Sequence, residues 1–89
     1  MSIVAEYVGI DRNTWTIRKV SHTDAGKLIY TRDDGTMYTH PLDGRPARSV
    51  VMSVFGLTDV FSYSPAMADS VSTQQQWTEL RAKLGELKP

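Results

Sequence analysis

Hydrophobic and polar residues alternate along the first half of the chain in the pattern of β-strands. Trp15 and Ile17, for example, alternate with polar side chains, and β-branched and aromatic residues are frequent. Turn-forming residues separate the β-prone runs from one another. The pattern therefore predicts three strands in meander order. The predicted strands are residues 2–8, 14–20 and 27–32, with turns at 11–13 and 21–26.

A turn signal at Asp34-Gly35 predicts a β-hairpin that continues from the third strand. Asp and Gly tolerate the positive φ of a type I′ turn, so we expect a two-residue loop. That loop pairs Tyr30 with Thr39 and Thr31 with Tyr38. One face of the hairpin then carries Leu28, Tyr30, Arg32, Met37 and Thr39, and the other carries Ile29, Thr31, Tyr38 and His40. Both faces mix apolar and polar residues, so the pattern leaves open which one is exposed.

Two periodicities compete in residues 47–55 (ARSVVMSVF). The apolar residues fit one face of a helix, with Pro46 at its start and Gly56 at its end. The alternative is a strand, in which Val50, Met52 and Val54 alternate with other residues. We favour the helix because the boundary residues agree with it. A short strand is expected at residues 60–63, and one helical turn can begin at Pro65.

The C-terminal segment is predicted to form an amphipathic helix over residues 73–88. Ser72 and Gln75 resemble a capping box at its start. Its apolar residues recur at three- and four-residue spacing, at Trp77, Leu80, Leu84 and Leu87. Trp15 and Trp77 are expected to be core residues that meet where this helix covers the sheet.

Together these elements predict an α+β fold in one compact domain of residues 1–89. A small antiparallel sheet of three to five strands, with a hairpin at Asp34-Gly35, is packed by the C-terminal helix. A second helix is expected at residues 46–55. A chain of 89 residues can bury only a modest core.

Composition narrows the classes of function. Lys plus Arg and Asp plus Glu both number 10, so the net charge is zero and nucleic acid is a disfavoured partner. The sequence has no cysteine and no apolar run of about 20 residues. We therefore expect a cytoplasmic protein without a membrane partner.

No catalytic, metal or cofactor motif is found in the sequence. His22 and His40 are the two histidines, and without cysteine they do not form a typical zinc site. No G-x-S-x-G or phosphate-binding loop occurs. Asp33 and Asp34 are expected to be solvated turn residues, because nothing at a hairpin tip would desolvate them. We expect no enzymatic activity, no metal and no cofactor.

Two surfaces remain as candidates for binding another protein. Residues 55–67 contain many large apolar side chains and one charge, Asp59. The hairpin offers aromatic and arginine side chains of the kind enriched at interfaces. The predicted partner-binding residues are Tyr30, Arg32, Tyr38, Phe61, Tyr63 and Met67. The hypothesis is an accessory, regulatory or inhibitory protein that docks onto a larger protein or associates with itself as a homodimer.

The alternative hypothesis is a small β-platform that binds nucleic acid. Arg18, Lys19 and Arg32 would supply the cations, and neighbouring aromatic residues would stack on bases. Acidic residues in the same half of the chain nearly balance these charges, which disfavours this alternative.

Overall fold

The computed structural model describes residues 2–89, which form one antiparallel sheet and two α-helices. The strands are β1 (Ile3–Asp11), β2 (Thr16–Thr23), β3 (Lys27–Thr31), β4 (Met37–Pro41) and β5 (Leu57–Tyr63). The helices are α1 (Ala47–Ser53) and α2 (Val71–Leu87), and a 3-10 turn covers Pro65–Met67. The strand order is β4-β3-β2-β1-β5, so β4 and β5 are the two edges. The predicted α+β fold is confirmed.

The helices pack on opposite faces of the sheet. Alternation along β1 separates the two faces: Tyr7 packs with the α1 cluster, whereas Val8 and Ile10 pack with α2. The α1 cluster has as its buried members Val20, Leu28, Leu42, Ala47, Val50, Val51 and Leu57. The α2 cluster contains Val8, Ile10, Phe61 and Leu80, with Ile17, Tyr63, Trp77, Leu84 and Leu87 partly buried around them. The core is thus divided into two layers by the sheet.

A bulge in β5 shapes the pairing with β1. Val8 pairs with Phe61 and Ile10 with Thr58, so two residues of β5 lie opposite Gly9. One of them, Asp59, has a φ of 55°. A Cβ atom built on Gly9 would lie 2.9 Å from the Thr58 carbonyl oxygen. The close approach of the two backbones therefore requires glycine at position 9.

Residues 47–53 are helical, as favoured from the sequence. Val50 and Val51 are fully buried against the sheet, whereas Met52 and Val54 are 47% and 48% exposed. A strand would have placed Val50, Met52 and Val54 on one face. Gly56, with a φ of 70°, turns the chain into β5.

Several details of the predicted elements were wrong. Strand β1 continues to Asp11 rather than ending at residue 8, and β5 begins at Leu57 rather than at residue 60. Strand β2 continues to Thr23. Its polar side chains are hydrogen-bonded there: the Ser21 hydroxyl donates to the Glu6 carboxylate, and the Thr23 hydroxyl oxygen accepts from the Lys27 N–H. Trp15 lies in the β1–β2 turn with a φ of 53°, outside both core clusters. Trp77 packs instead edge-on against Phe61, with ring centroids 5.7 Å apart.

The start of α2 also differs from the prediction. Ser70, not Ser72, is the N-cap, and its Oγ accepts a hydrogen bond from the Thr73 N–H at 3.2 Å. Thr73 is buried beneath the cap. Within residues 2–89, no helix is long and apolar enough to span a membrane.

Candidate functional site

The β3–β4 hairpin turns through three residues rather than two. The Gly35 N–H donates to the Arg32 carbonyl, and the Arg32 N–H donates to the Thr36 carbonyl, both at 2.9 Å. Gly35 has a φ of 86°, and Asp34 is not among the described residues with positive φ. This is a type I turn followed by a glycine bulge, so the predicted type I′ turn was wrong.

A side-chain hydrogen bond explains why the longer turn is stable. The Asp34 carboxylate accepts from the Thr36 N–H at 2.9 Å. Hydrogen bonding from Thr36 to the charged carboxylate, first from its side chain and then from its N–H, lowers the pKa of Asp34. A type I turn with Asp before the bulge glycine therefore suits this sequence as well as a type I′ turn would.

The extra loop residue shifts the register of the hairpin by one. Tyr30 pairs with Tyr38, and Leu28 with His40, instead of the predicted pairs. A shift of one residue moves every side chain of β4 to the opposite face relative to β3. Tyr30 and Tyr38 consequently share the α1 face, while Met37 lies on the α2 face.

A groove of about 670 Å³ lies between this hairpin and the end of α1. Phe55 packs against Tyr30, with ring centroids 5.5 Å apart, and edge-on against His40 at 6.0 Å. Val54 and Tyr38 also line the groove. No local sequence pattern indicates that α1 ends beside the hairpin, so Phe55, Val54 and His40 were not predicted as groove residues.

Arg18 forms one wall of the groove, and acidic residues neutralise it. Its guanidinium donates to the two oxygens of Asp33 at 2.6 and 3.3 Å, and its Nε lies 4.0 Å from Asp11. The hydrogen bond to Asp33 raises the pKa of Arg18, although burial opposes the shift. The Arg18 side chain is only 14% exposed. Its charge is therefore used within the molecule, where it holds the hairpin tip against β2.

The outer side of the hairpin exposes an arginine stacked on an aromatic ring. The Arg32 guanidinium carbon lies 4.4 Å from the centroid of the Tyr38 ring, and Tyr38 is 40% exposed. Met37, on the other face of the same strand, is 63% exposed. Tyrosine, arginine and methionine are the side chains enriched at protein interfaces.

The backbone of β4 is also free along its outer edge at Met37 and Thr39, whereas the Pro41 carbonyl accepts a hydrogen bond from Arg45 at 3.1 Å. Because Arg32 and Thr36 form a hydrogen-bonded pair, alternation along the ladder directs the amide groups of Met37 and Thr39 away from β3. Strand β4 has no charged residue, and only Pro41 lacks an N–H. Charged side chains commonly protect an edge strand from pairing, and β4 is without them.

The opposite edge of the sheet is protected. The Arg48 side chain donates to the Val60 carbonyl of β5 at 2.7 Å. The bulge at Asp59 also interrupts the regular spacing of edge amides. An arginine covers one carbonyl on each edge, but only β5 is interrupted by a bulge, so β4 is the edge with regularly spaced outward amides, at Met37 and Thr39.

The second predicted surface does not form a patch. Phe61 is only 9% exposed and packs between β5 and α2. Tyr63 is half-buried beside it, with ring centroids 6.1 Å apart, and burial raises the pKa of Tyr63. Met67 is 50% exposed, but the buried Phe61 does not extend an apolar surface next to it. The segment contributes to both layers of the core: Phe55, Leu57 and Val60 pack in the α1 cluster, and Phe61 and Tyr63 pack in the α2 cluster.

The residues of the nucleic-acid alternative lie on two faces. Arg18 and Arg32 line the groove, whereas Lys19 alternates with Arg18 and points to the α2 face. Three carboxylates, those of Asp11, Asp33 and Asp34, line the same groove. The groove is therefore not a cationic surface. In the described part of the chain, no cluster of three or more acidic or histidine side chains could hold a metal ion.

Comparison with protein-family models, curated proteins and solved structures finds no match for this chain.

Proposed function

We propose that this chain is a small non-enzymatic protein-binding module that receives an extended strand of its partner along the edge of β4. Its role would be accessory, regulatory or inhibitory. The proposal includes a cytoplasmic location, which the absence of cysteine in the sequence favours.

The observation that carries the proposal is the open edge of β4. Met37 and Thr39 direct backbone donors and acceptors outward, and the strand has no charged side chain to repel an added strand. Strand addition takes its affinity from main-chain hydrogen bonds and its specificity from side-chain pockets. The groove beside Tyr38 and Phe55 would supply such a pocket on the α1 face.

The side chains along this edge support binding of a protein rather than of nucleic acid. Arg32 is held over the Tyr38 ring, and Met37 is exposed on the other face. The Tyr38 ring offers a large contact area with few rotatable bonds, and Arg32 already lies over that ring before a partner binds. The cations of the alternative hypothesis are divided between two faces and offset by Asp11, Asp33 and Asp34, which weighs against nucleic acid as the partner.

The proposal is tested by affinity capture from a lysate of the source cells with quantitative mass spectrometry. Thr39→Pro removes one outward N–H without disturbing the β3–β4 ladder, as Pro41 already does at the next outward position. Tyr38→Ala removes the exposed aromatic ring. We expect each variant to retain at most about a tenth of the captured partner, since a central anchor contributes about 1.4 kcal/mol or more.

The matched control is Met52→Ala, which removes an exposed methionine from α1, away from the β4 edge. Circular dichroism and thermal unfolding establish that every variant is folded. Equal capture by the wild-type chain, Thr39→Pro and Tyr38→Ala would contradict the proposal.

A further inference from the structure

We infer that the strand added to β4 comes from a second copy of this chain, paired antiparallel so that Tyr38 lies opposite Tyr38 of the second copy. The inference rests on the proposed use of the β4 edge and names the partner. It would join the two sheets into one continuous sheet around a two-fold axis.

The positions of the outward amides select this register. With Tyr38 on the axis, Met37 lies opposite Thr39 of the second copy, and both residues exchange N–H···O bonds. If Thr39 lay opposite itself, Met37 would face Pro41, which has no N–H. If Met37 lay opposite itself, Thr39 would face Gly35, whose N–H already bonds to the Arg32 carbonyl. One register therefore satisfies every outward amide of Met37 and Thr39.

Charges at the two ends of the edge are complementary in the same register. Counting outward from Tyr38, Asp34 at the hairpin tip lies opposite Leu42 of the second copy. The Arg45 side chain is held at that level, since its guanidinium donates to the Leu42 carbonyl at 2.8 Å and to the Pro41 carbonyl at 3.1 Å. Each acidic tip would thus lie beside an arginine of the other copy, at both ends of the interface.

The aromatic residues at the centre also fit. Tyr38 has its amides bonded to β3, so opposite its symmetry mate it forms a non-hydrogen-bonded pair. In such pairs the side chains approach closely, and aromatic pairs stabilise them. A two-fold axis perpendicular to the sheet keeps both tyrosines on the same face, each with Arg32 stacked on it.

Disulfide cross-linking tests the register. The sequence contains no cysteine, so a single introduced cysteine can pair only with its own copy in another chain. Opposed residues of a non-hydrogen-bonded pair have Cα atoms about 4.5 Å apart, within the range that a disulfide spans. Because Tyr38→Cys removes the aromatic pair and weakens the dimer, the reaction is run at near-millimolar chain concentration, where we expect the disulfide to trap a covalent dimer under mild oxidation. Residue 39 lies about 7 Å from residue 39 of the second copy, on the diagonal, so Thr39→Cys should form several-fold less covalent dimer.

Met52→Cys on exposed α1 measures cross-linking by random collision. Sedimentation of the wild-type chain, from low micromolar to near-millimolar concentration, measures association without any cysteine. We expect a monomer–dimer equilibrium whose dissociation constant rises about tenfold or more in Thr39→Pro, because the symmetric interface loses one bond from each copy.

Several outcomes would overturn the inference. One is a wild-type chain that stays monomeric at every concentration. Another is a dimer in which Thr39→Cys or Met52→Cys cross-links as efficiently as Tyr38→Cys. If the chain is monomeric but Thr39→Pro still abolishes capture of a different protein, the homodimer fails while the proposed function stands. A dimer that Thr39→Pro leaves unchanged would place the interface elsewhere.

Discussion

Replacement of Gly9 by alanine should destabilise the fold through a contact between backbones. Gly9 lies on β1 opposite the bulge of β5. An added Cβ would lie 2.9 Å from the Thr58 carbonyl oxygen, 2.9 Å from Val60 Cγ2 and 3.0 Å from Leu57 Cβ. Carbon atoms in favourable contact are about 3.5–4.0 Å apart, so the strands would have to separate by roughly 0.5 Å or more.

The size of the effect follows from what surrounds Gly9. Leu57 is 1% exposed and belongs to the α1 layer of the core, and the Thr58 oxygen is part of the backbone. Neither can move aside like the end of a flexible side chain. Overpacking of this kind costs about 1–3 kcal/mol. For a domain of this size, we expect the melting temperature to fall by about 4 °C or more.

Gly85→Ala is the matched control. Gly85 lies in α2, and an added Cβ would meet nothing within 4 Å. Alanine is the better helix former, so this variant should be more stable than the wild-type chain by about 0.5–1 kcal/mol. Urea titration gives the free energies of unfolding, and an unchanged slope shows that the unfolded state is comparable. If Gly9→Ala proved as stable as the wild-type chain, the account of the β5 bulge would be refuted.

Two further predictions concern the core and the hairpin turn. Phe61→Ala should lower the free energy of unfolding by about 3 kcal/mol or more, because Phe61 is 9% exposed and packs on Trp77. Met67→Ala, at an exposed position, should change the free energy of unfolding by less than about 0.5 kcal/mol. Similar values for the two variants in urea titrations would place Phe61 at the surface. The carboxyl of Asp34 should titrate, by NMR, below the ordinary pKa of aspartate, because its charged form accepts hydrogen bonds from the Thr36 side chain and from the Thr36 N–H. A carboxyl whose pKa is lower in the folded state stabilises the fold at pH values above its unfolded-state pKa. The difference in stability between the wild-type chain and Asp34→Ala should therefore shrink as the pH falls through the folded-state pKa. A difference that stays constant or grows in that acidic range would contradict this prediction.

The hairpin illustrates how far local sequence can determine a binding surface. Asp34 and Gly35 are sufficient to predict that the chain reverses between β3 and β4. They do not distinguish a two-residue loop from a three-residue loop, since Asp-Gly suits both. The Arg18–Asp33 bonds hold the tip against β2, and Tyr30 and His40 pack on Phe55. Those contacts join residues far apart in the sequence. They occur in the strand pairing that places Tyr30 and Tyr38 on the same face.

The sequence by itself determined the elements whose signals act between near neighbours. The three- and four-residue spacing of α2, the boundary residues of α1 and the β-branched runs of the first strands each depend on local backbone preference and local periodicity. Only the tertiary structure decided the Asp59 bulge opposite Gly9, the burial of Phe61 under α2 and the open edge of β4. The physical reason is that these features depend on which distant segments pack together. That packing depends on contacts throughout the core and is not encoded in any single stretch of residues.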